Sequence, residues 1–267
     1  MELHLVKQER HEFFGFGWTF HYGDLDIHEA EQGEKDFSPV TLPHDWLMDY
    51  EANGLDEKSG SMNWKYGVGI YRKEFIIDKS NKNRIISLLF DGVYQDATVY
   101  LNGEKLGNNY YGYIPFEFDI TNKVNIGEVN TLLVRVDNSA QPNTRWYSGS
   151  GITRDVWISS LPPIHVASNG TYIVTDSLEN NIASLSITTE ISNSAAVDSE
   201  IEIKNKIYSP DGLLIASMSE KMTIGTGLNN ALIKQNLSIR NALLWSPEHP
   251  CMHQMITEII VDGIIED

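Results

Sequence analysis

The chain has 267 residues, of which 41% are hydrophobic and 21% charged, as is typical of a globular protein with one large or two ordinary domains. Its formal net charge of −17 argues against nucleic acid or an anionic membrane as a partner, because both attract basic surfaces. A neutral polar ligand is compatible with this charge.

The cysteine and histidine content limits which disulfides and metal sites the chain can form. The single cysteine, Cys251, excludes an internal disulfide, and with eight scattered histidines it disfavours a transition-metal site. The sequence indicates no cofactor. No run of about 18 apolar residues predicts a membrane-spanning helix. Residues 1–10 carry no signal-peptide pattern, so the compartment stays open between the cytoplasm and the periplasm or exterior.

Aromatic residues alternate with other side chains near the N-terminus. From Phe14 to Tyr22 the even positions are mostly aromatic, a period of two that predicts one strand with one buried face. Segment 37–46 follows, and its two prolines confine it to an edge strand and a turn. This segment ends in His44, Asp45 and Trp46, which could contact a ligand. Alternatively, Asp45 closes an Asx turn and Trp46 is core, an interpretation that turn chemistry favours.

The clearest pattern lies between residues 84 and 106, and alternating runs follow it as far as residue 136. Apolar residues alternate with polar ones in several short runs, and Asn102-Gly103 predicts a hairpin because both residue types accept a positive φ. Strands recur at short spacing, and no helical pattern exceeds a turn or two. The fold is therefore predicted to be an all-β sandwich or jelly roll.

Residues 143–158 combine arginines, large aromatic residues and glycines. Strands predicted on either side place Arg145, Trp146 and Tyr147 on a loop at the rim of a sheet. Aromatic faces beside forked donors suit sugars, which offer flat C–H faces and hydroxyls. The alternative is that these aromatics fill a core, and composition alone favours it. Arg154 is expected to pair locally, since Asp155 is its neighbour.

A domain boundary is predicted near Pro162-Pro163, where two prolines stop a strand and the composition changes. Beyond it, Ile, Leu, Ser, Asn and Thr dominate, and further alternating strands suggest a small immunoglobulin-type sandwich without the cysteine pair. Asp262-Gly263 predicts a hairpin with only four residues after it. We therefore expect the sequence to be part of a longer chain, the alternative being a short frayed edge strand.

Taken in order, several short motifs resemble glycoside hydrolase family 2, and most closely the N-terminal part of its β-galactosidases. The motifs are PHDW at 43–46, YRKEF at 71–75, DGV at 91–93, VYLNG at 99–103, GY at 112–113, FEFDI at 116–120, LLVRVDN at 132–138, RWYSGSGI at 145–152, RDVW at 154–157 and LWSPEHP at 244–250.

This resemblance implies a sugar-binding jelly roll over residues 1–163 and an immunoglobulin-like domain over 164–267, with a (β/α)₈ catalytic barrel expected after 267. The family's retaining mechanism uses two carboxyl groups about 5–5.5 Å apart. Both are glutamates on the barrel, so the resemblance implies no catalytic residue in this chain. In this family, loops of the jelly roll help to hold the terminal sugar. By position, the implied substrate-binding residues are Arg145, Trp146 and Tyr147, with His44, Asp45 and Trp46 behind them.

Three functions stay open. The first is the non-catalytic N-terminal portion of a β-galactosidase-like enzyme, partnered by its own barrel and by a β-galactoside or related carbohydrate, with homo-oligomerisation as a further possibility. The amino-acid sequence of residues 145–152 favours galactose as the sugar, although relatives also use β-glucuronides and β-mannosides. The second is a stand-alone carbohydrate-binding module, which needs a preformed site with exposed aromatics. The third is a structural spacer or interaction domain, in which residues 145–147 are buried and pair only inside the chain.

Overall fold

The structure, a computed structural model, describes residues 3–33, 35–49, 64–140, 147–226 and 231–267. Its internal contacts divide the chain into two compact units, Met1–Ser160 and Leu161–Asp267. No helix among the described residues has the length and apolarity needed to cross a membrane.

The first unit is built mainly from antiparallel strands. They are β1 His4–Val6, β2 Glu12–Phe13, β3 Trp18–Tyr22, β4 Ser38–Val40, β5 Val68–Ile77, β6 Ile85–Phe90, β7 Ala97–Leu101, β8 Glu104–Asn109, β9 Phe116–Asp119, β10 Val129–Asp137 and β11 Val156–Leu161. Helix α1 spans Ile27–Gln32, and 3₁₀ turns occur at Trp46–Asp49 and Lys79–Asn81.

These strands form two sheets. One has the order β4-β3-β5-β10-β7-β8, with β1 added in parallel to β5, and the other has the order β2-β11-β6-β9. Large aromatic side chains, among them Trp18, Trp46, Tyr71 and Phe90, are fully buried in the core. Burial of such rings stabilises this unit, because each removes a large apolar area from water.

Several predicted elements are present. Strand β7 alternates buried and half-buried residues, and the hairpin to β8 turns at Asn102 and Gly103, whose φ angles are 51° and 77°. Strand β4 lies at the edge of its sheet, where a proline costs no ladder hydrogen bond.

The single strand predicted around residues 14–22 is wrong. The chain instead forms β2 and β3, which belong to different sheets. Between them Gly17 has a φ of 72°, a conformation that a strand does not adopt. As a result Phe16 is 60% exposed, whereas Phe14, Trp18 and Phe20 are buried.

The second unit also consists of two antiparallel sheets. Its strands are β12 Ile164–Glu179, β13 Ile182–Asn193, β14 Ser199–Tyr208, β15 Leu214–Ile224, β16 Ala231–Arg240, β17 Gln254–Val261 and β18 Ile264–Ile265. Their orders are β12-β13-β16 and β15-β14-β17-β18. Along β13 every second residue is buried, and inward-facing Ile and Leu fill the core as the alternation predicts. The predicted all-β fold of two successive β-sandwiches is confirmed.

Candidate functional site

The turn that carries His44, Asp45 and Trp46 is fastened to the segment at Ser150–Ile152. The backbone N–H of His44 donates to the carbonyl of Ile152 at 2.8 Å, and that of Trp46 donates to the carbonyl of Ser150 at 3.0 Å. Two stretches about a hundred residues apart in sequence therefore form one surface of the first unit.

The Asp45 carboxylate is the centre of this arrangement. Its Oδ1 accepts from the backbone N–H of Leu47 at 3.0 Å, which closes the predicted Asx turn, and from the N–H of Ser150 at 2.8 Å. Its Oδ2 accepts from the Tyr147 hydroxyl. Asp45 thus fixes the loop that carries Tyr147.

Tyr147 presents its ring to solvent while its hydroxyl is held. The side chain is 51% exposed, and the ring meets that of Trp64 edge-to-face, with centroids 5.6 Å apart. Burial of the hydroxyl and its bond to the Asp45 carboxylate raise the pKa of Tyr147. Because the ring is held at its polar end, its apolar face is available for stacking.

Both ring nitrogens of His44 are engaged. Nε2 lies 2.8 Å from the Asp49 carboxylate and Nδ1 lies 2.8 Å from the Tyr71 hydroxyl. A carboxylate only accepts, so Nε2–H donates to Asp49 and, in the neutral ring, Nδ1 accepts from Tyr71. Burial raises the pKa of Tyr71 well above its ordinary value, which keeps the hydroxyl protonated. His44 is therefore a positioned side chain.

Trp46 lies behind this surface. Its side chain is fully buried, it stacks on Phe20 with centroids 5.5 Å apart, and its indole N–H donates to the carbonyl of Lys65 at 3.0 Å. These contacts make Trp46 a support for the turn. Direct sugar contact by Trp46 stays an untested prediction. Arg145 and Trp146 lie outside the described residues.

Glycines permit the close approach of the two stretches. Gly151 has a φ of 128°, and a Cβ there would lie 2.2 Å from the Tyr71 hydroxyl and 2.6 Å from the His44 carbonyl. Its backbone also exchanges two hydrogen bonds with Tyr94, at 2.9 and 2.8 Å. Buried Asn138 donates to the Ser150 hydroxyl at 2.6 Å. The loop is consequently rigid on its inner side.

A surface cavity of about 440 Å³ adjoins this loop on its Thr153–Asp155 side. It is lined by Pro43, Asp91, Pro115, Thr153, Arg154 and Asp155. Arg154 does not pair with Asp155 as expected. Its guanidinium instead donates to the carbonyls of Asp91, at 3.5 Å, and Tyr113, at 3.4 Å.

The Asp155 carboxylate consequently has no hydrogen-bond or ion-pair partner among the residues that the structure describes. A half-buried carboxylate without a partner is a good acceptor for ligand hydroxyls. Asp155 did not emerge from the sequence reasoning, because an adjacent Arg–Asp pair suggests a local ion pair. The described residues contain no group of three or more His, Cys, Asp or Glu suited to a metal ion.

Comparisons with known proteins match both units. Residues 36–162 match the description "Glycosyl hydrolases family 2, sugar binding domain", and residues 164–267 match "Glycosyl hydrolases family 2".

The chain is 34% identical to Beta-galactosidase BoGH2A of Bacteroides ovatus, over 96% of this chain and 30% of that protein. It is 30% identical to a Beta-glucuronidase of Bacteroides fragilis, over 98% of this chain and 37% of that protein. The crystal structure of a glycosyl hydrolase family 2 member from Bacteroides cellulosilyticus superposes with a TM-score of 0.87 at 29% identity, over 97% of this chain and 35% of that one.

The chain thus spans about a third of the length of these relatives. The two matches follow one another along nearly the whole sequence, and they confirm the resemblance drawn from the motifs. The chain therefore belongs to family 2 of the glycosyl hydrolases.

Proposed function

We propose that this chain is the non-catalytic N-terminal portion of a retaining β-glycosidase of the β-galactosidase type. In this proposal, Tyr147, Asp45 and their neighbours form part of the entrance of an active site that a catalytic barrel supplies. The observation that carries the sugar-facing role is the half-exposed Tyr147 ring, whose hydroxyl is held by Asp45. Further along the same segment, Asp155 lines the cavity and has no partner among the described residues.

The accessory role is supported by fold and by length. A (β/α)₈ barrel needs about 250 residues of alternating strands and helices. The described part of this chain has two antiparallel sandwiches and, as its α-helix, only the six-residue α1. The relatives named as glycosidases are about three times as long. Hydrolysis is therefore expected to need residues other than these 267.

The galactoside preference is supported by charge. Asp45 lies on the loop surface, and the cavity is lined by Asp91 and Asp155. The one cation among the described residues that line the cavity is Arg154, whose guanidinium donates to two backbone carbonyls. The carboxylate of a glucuronide would meet a cavity lined by two carboxylates and one guanidinium, which carry a net negative charge. A neutral hexose would meet acceptors for its hydroxyls. Relatives named as a β-galactosidase and as a β-glucuronidase both match this chain.

The test compares the 267-residue chain with the protein encoded by its whole reading frame, on nitrophenyl β-galactoside, β-glucuronide and β-mannoside. We expect hydrolysis by the longer protein only, fastest on the galactoside. Tyr147→Ala in that protein should raise KM more than it lowers kcat, whereas Tyr147→Phe, which keeps the ring, should have a smaller effect. Sustained hydrolysis by the purified chain would overturn the non-catalytic role.

The second candidate is a stand-alone carbohydrate-binding module, favoured by the exposed aromatic face of Tyr147. Tryptophan fluorescence separates the two, because Trp64 lies against the Tyr147 ring and would report a bound sugar. If the chain binds sugar while the whole protein hydrolyses none of the three glycosides, the module replaces the accessory role.

A further inference from the structure

Three exposed tyrosines form a group at the turn between β8 and β9. Tyr110, Tyr111 and Tyr113 are 72%, 58% and 39% exposed. We propose that this tyrosine platform (Tyr110, Tyr111 and Tyr113) binds further sugar units of a neutral β-linked oligosaccharide whose end lies at the adjoining cavity. The inference rests on the proposed function for the cavity and extends it to the length of the substrate.

The platform is fixed to the loop already described. Gly112 is buried, and a Cβ there would lie 2.3 Å from the ring of Tyr94. Tyr94 in turn exchanges two backbone hydrogen bonds with Gly151, and its ring lies 5.3 Å from that of Tyr113. A rigid backbone lowers the entropy lost when a ligand settles on the rings.

The platform is also continuous with the cavity. Arg154, which lines the cavity, donates to the carbonyl of Tyr113 at 3.4 Å. Pro115, two residues after Tyr113, lines the same cavity. Asn109 donates to the carbonyl of Tyr111 at 2.8 Å and holds the start of the turn. A chain that leaves the cavity on this side passes over the tyrosines.

The chemistry of the platform suits a sugar. Tyr111 and Tyr113 have centroids 5.7 Å apart at an interplanar angle of 70°, so they form a corner on the scale of a single hexose. In the described part of the chain none of the three hydroxyls has a hydrogen-bond partner, and each can serve a sugar hydroxyl. Tyrosine is also enriched at protein interfaces, so the oligomeric state of the variants below tests a protein occupant against the sugar.

Charge selects a neutral glycan. The net charge of −17 and the acidic lining of the cavity by Asp91 and Asp155 repel polyanionic polysaccharides. Uncharged hexose units meet no such penalty.

The experiment is calorimetric titration of the 267-residue chain with β-1,4-linked galactotetraose and with galactose. We expect the tetraose to bind at least about tenfold more tightly than galactose, and Tyr111→Ala or Tyr113→Ala to remove most of that advantage. Tyr113→Phe should keep most of it. The matched control is Tyr172→Ala, since Tyr172 is 70% exposed in the second unit and should not matter. Circular dichroism melts verify folding of each variant.

Equal affinity for tetraose and galactose, or no tetraose binding, would overturn the platform. So would a change in oligomeric state on Tyr111→Ala without a change in tetraose binding, because the tyrosines would then face protein. The proposed function fails separately: tyrosine-dependent tetraose binding by a chain whose whole protein hydrolyses no β-glycoside would keep the platform and remove the accessory role.

Discussion

Replacing Asp45 by alanine should loosen the whole candidate surface. The change removes the acceptor for two backbone N–H groups, those of Leu47 and Ser150, and for the Tyr147 hydroxyl. Ser150 is fully buried, so its orphaned N–H costs about 1–3 kcal/mol, whereas the turn at Leu47 contributes about 1 kcal/mol. The bond from the Tyr147 hydroxyl adds little, because this residue is 51% exposed and water can replace the carboxylate. We expect Asp45→Ala to lower the free energy of unfolding of the first unit by about 2–4 kcal/mol.

Urea denaturation followed by tryptophan fluorescence measures this effect, because five of the six tryptophans lie in the first unit. Asp119→Ala is the matched control: Asp119 also accepts from the N–H two residues on, that of Thr121, but at an exposed site. Asp45→Asn should fall between the two variants, since its amide oxygen can still accept from Ser150. If Asp45→Ala costs no more than Asp119→Ala, the Asp45–Ser150 link does not stabilise the fold and the reasoning is refuted.

Three further predictions concern the same unit. Gly151→Ala should lower the free energy of unfolding by about 3 kcal/mol or more, because the added methyl group has no room. Gly212→Ala is the control: Gly212 also has a positive φ, 82°, but a Cβ there would have nothing within 4 Å, so the cost should be only about 1 kcal/mol. The midpoints of urea denaturation compare the two variants. Burial lowers the pKa of Lys73 to about 8 from 10.5, so the unfolded chain binds more protons between these pH values. Between pH 8 and 10.5, the free energy of unfolding of the wild type should therefore increase relative to that of Lys73→Met by up to about 3 kcal/mol. If the free energies of unfolding of the two proteins change with pH in parallel, the prediction is contradicted. Asn138→Ala leaves the buried Ser150 hydroxyl without its donor and should cost about 2 kcal/mol, measured by thermal melting; a cost no greater than that of Gly212→Ala would count against this role.

Much of the fold could be predicted because β-sandwiches repeat a simple signal. Alternation along β7 and β13 and the turn residues Asn102-Gly103 are local features, and local features are what a sequence displays. The prediction of one strand over 14–22 was wrong for a local reason as well. A left-handed Gly17 lets the chain cross between sheets, and the alternation of aromatics continues across the break without revealing it.

The site was less accessible to sequence reasoning. The Asx turn at Asp45 could be predicted, since its partner Leu47 is two residues away. The bonds from Asp45 to Ser150 and Tyr147 could not, because they depend on how distant strands pair. Asp155 was missed because its neighbour Arg154 turns to distant carbonyls instead.

The Asp45–Ser150 bond joins positions 105 residues apart, and this separation bears on how the protein matures. Closing so long a loop is costly before the intervening strands have paired, so contacts of this kind form slowly. The turn at Asp45 leaves the ribosome well before the segment that completes it, and the surface has no local precursor. Ligand binding should therefore appear late in refolding, together with the full set of strands. The rate at which ligand binding is regained would then measure how fast the first sandwich is completed.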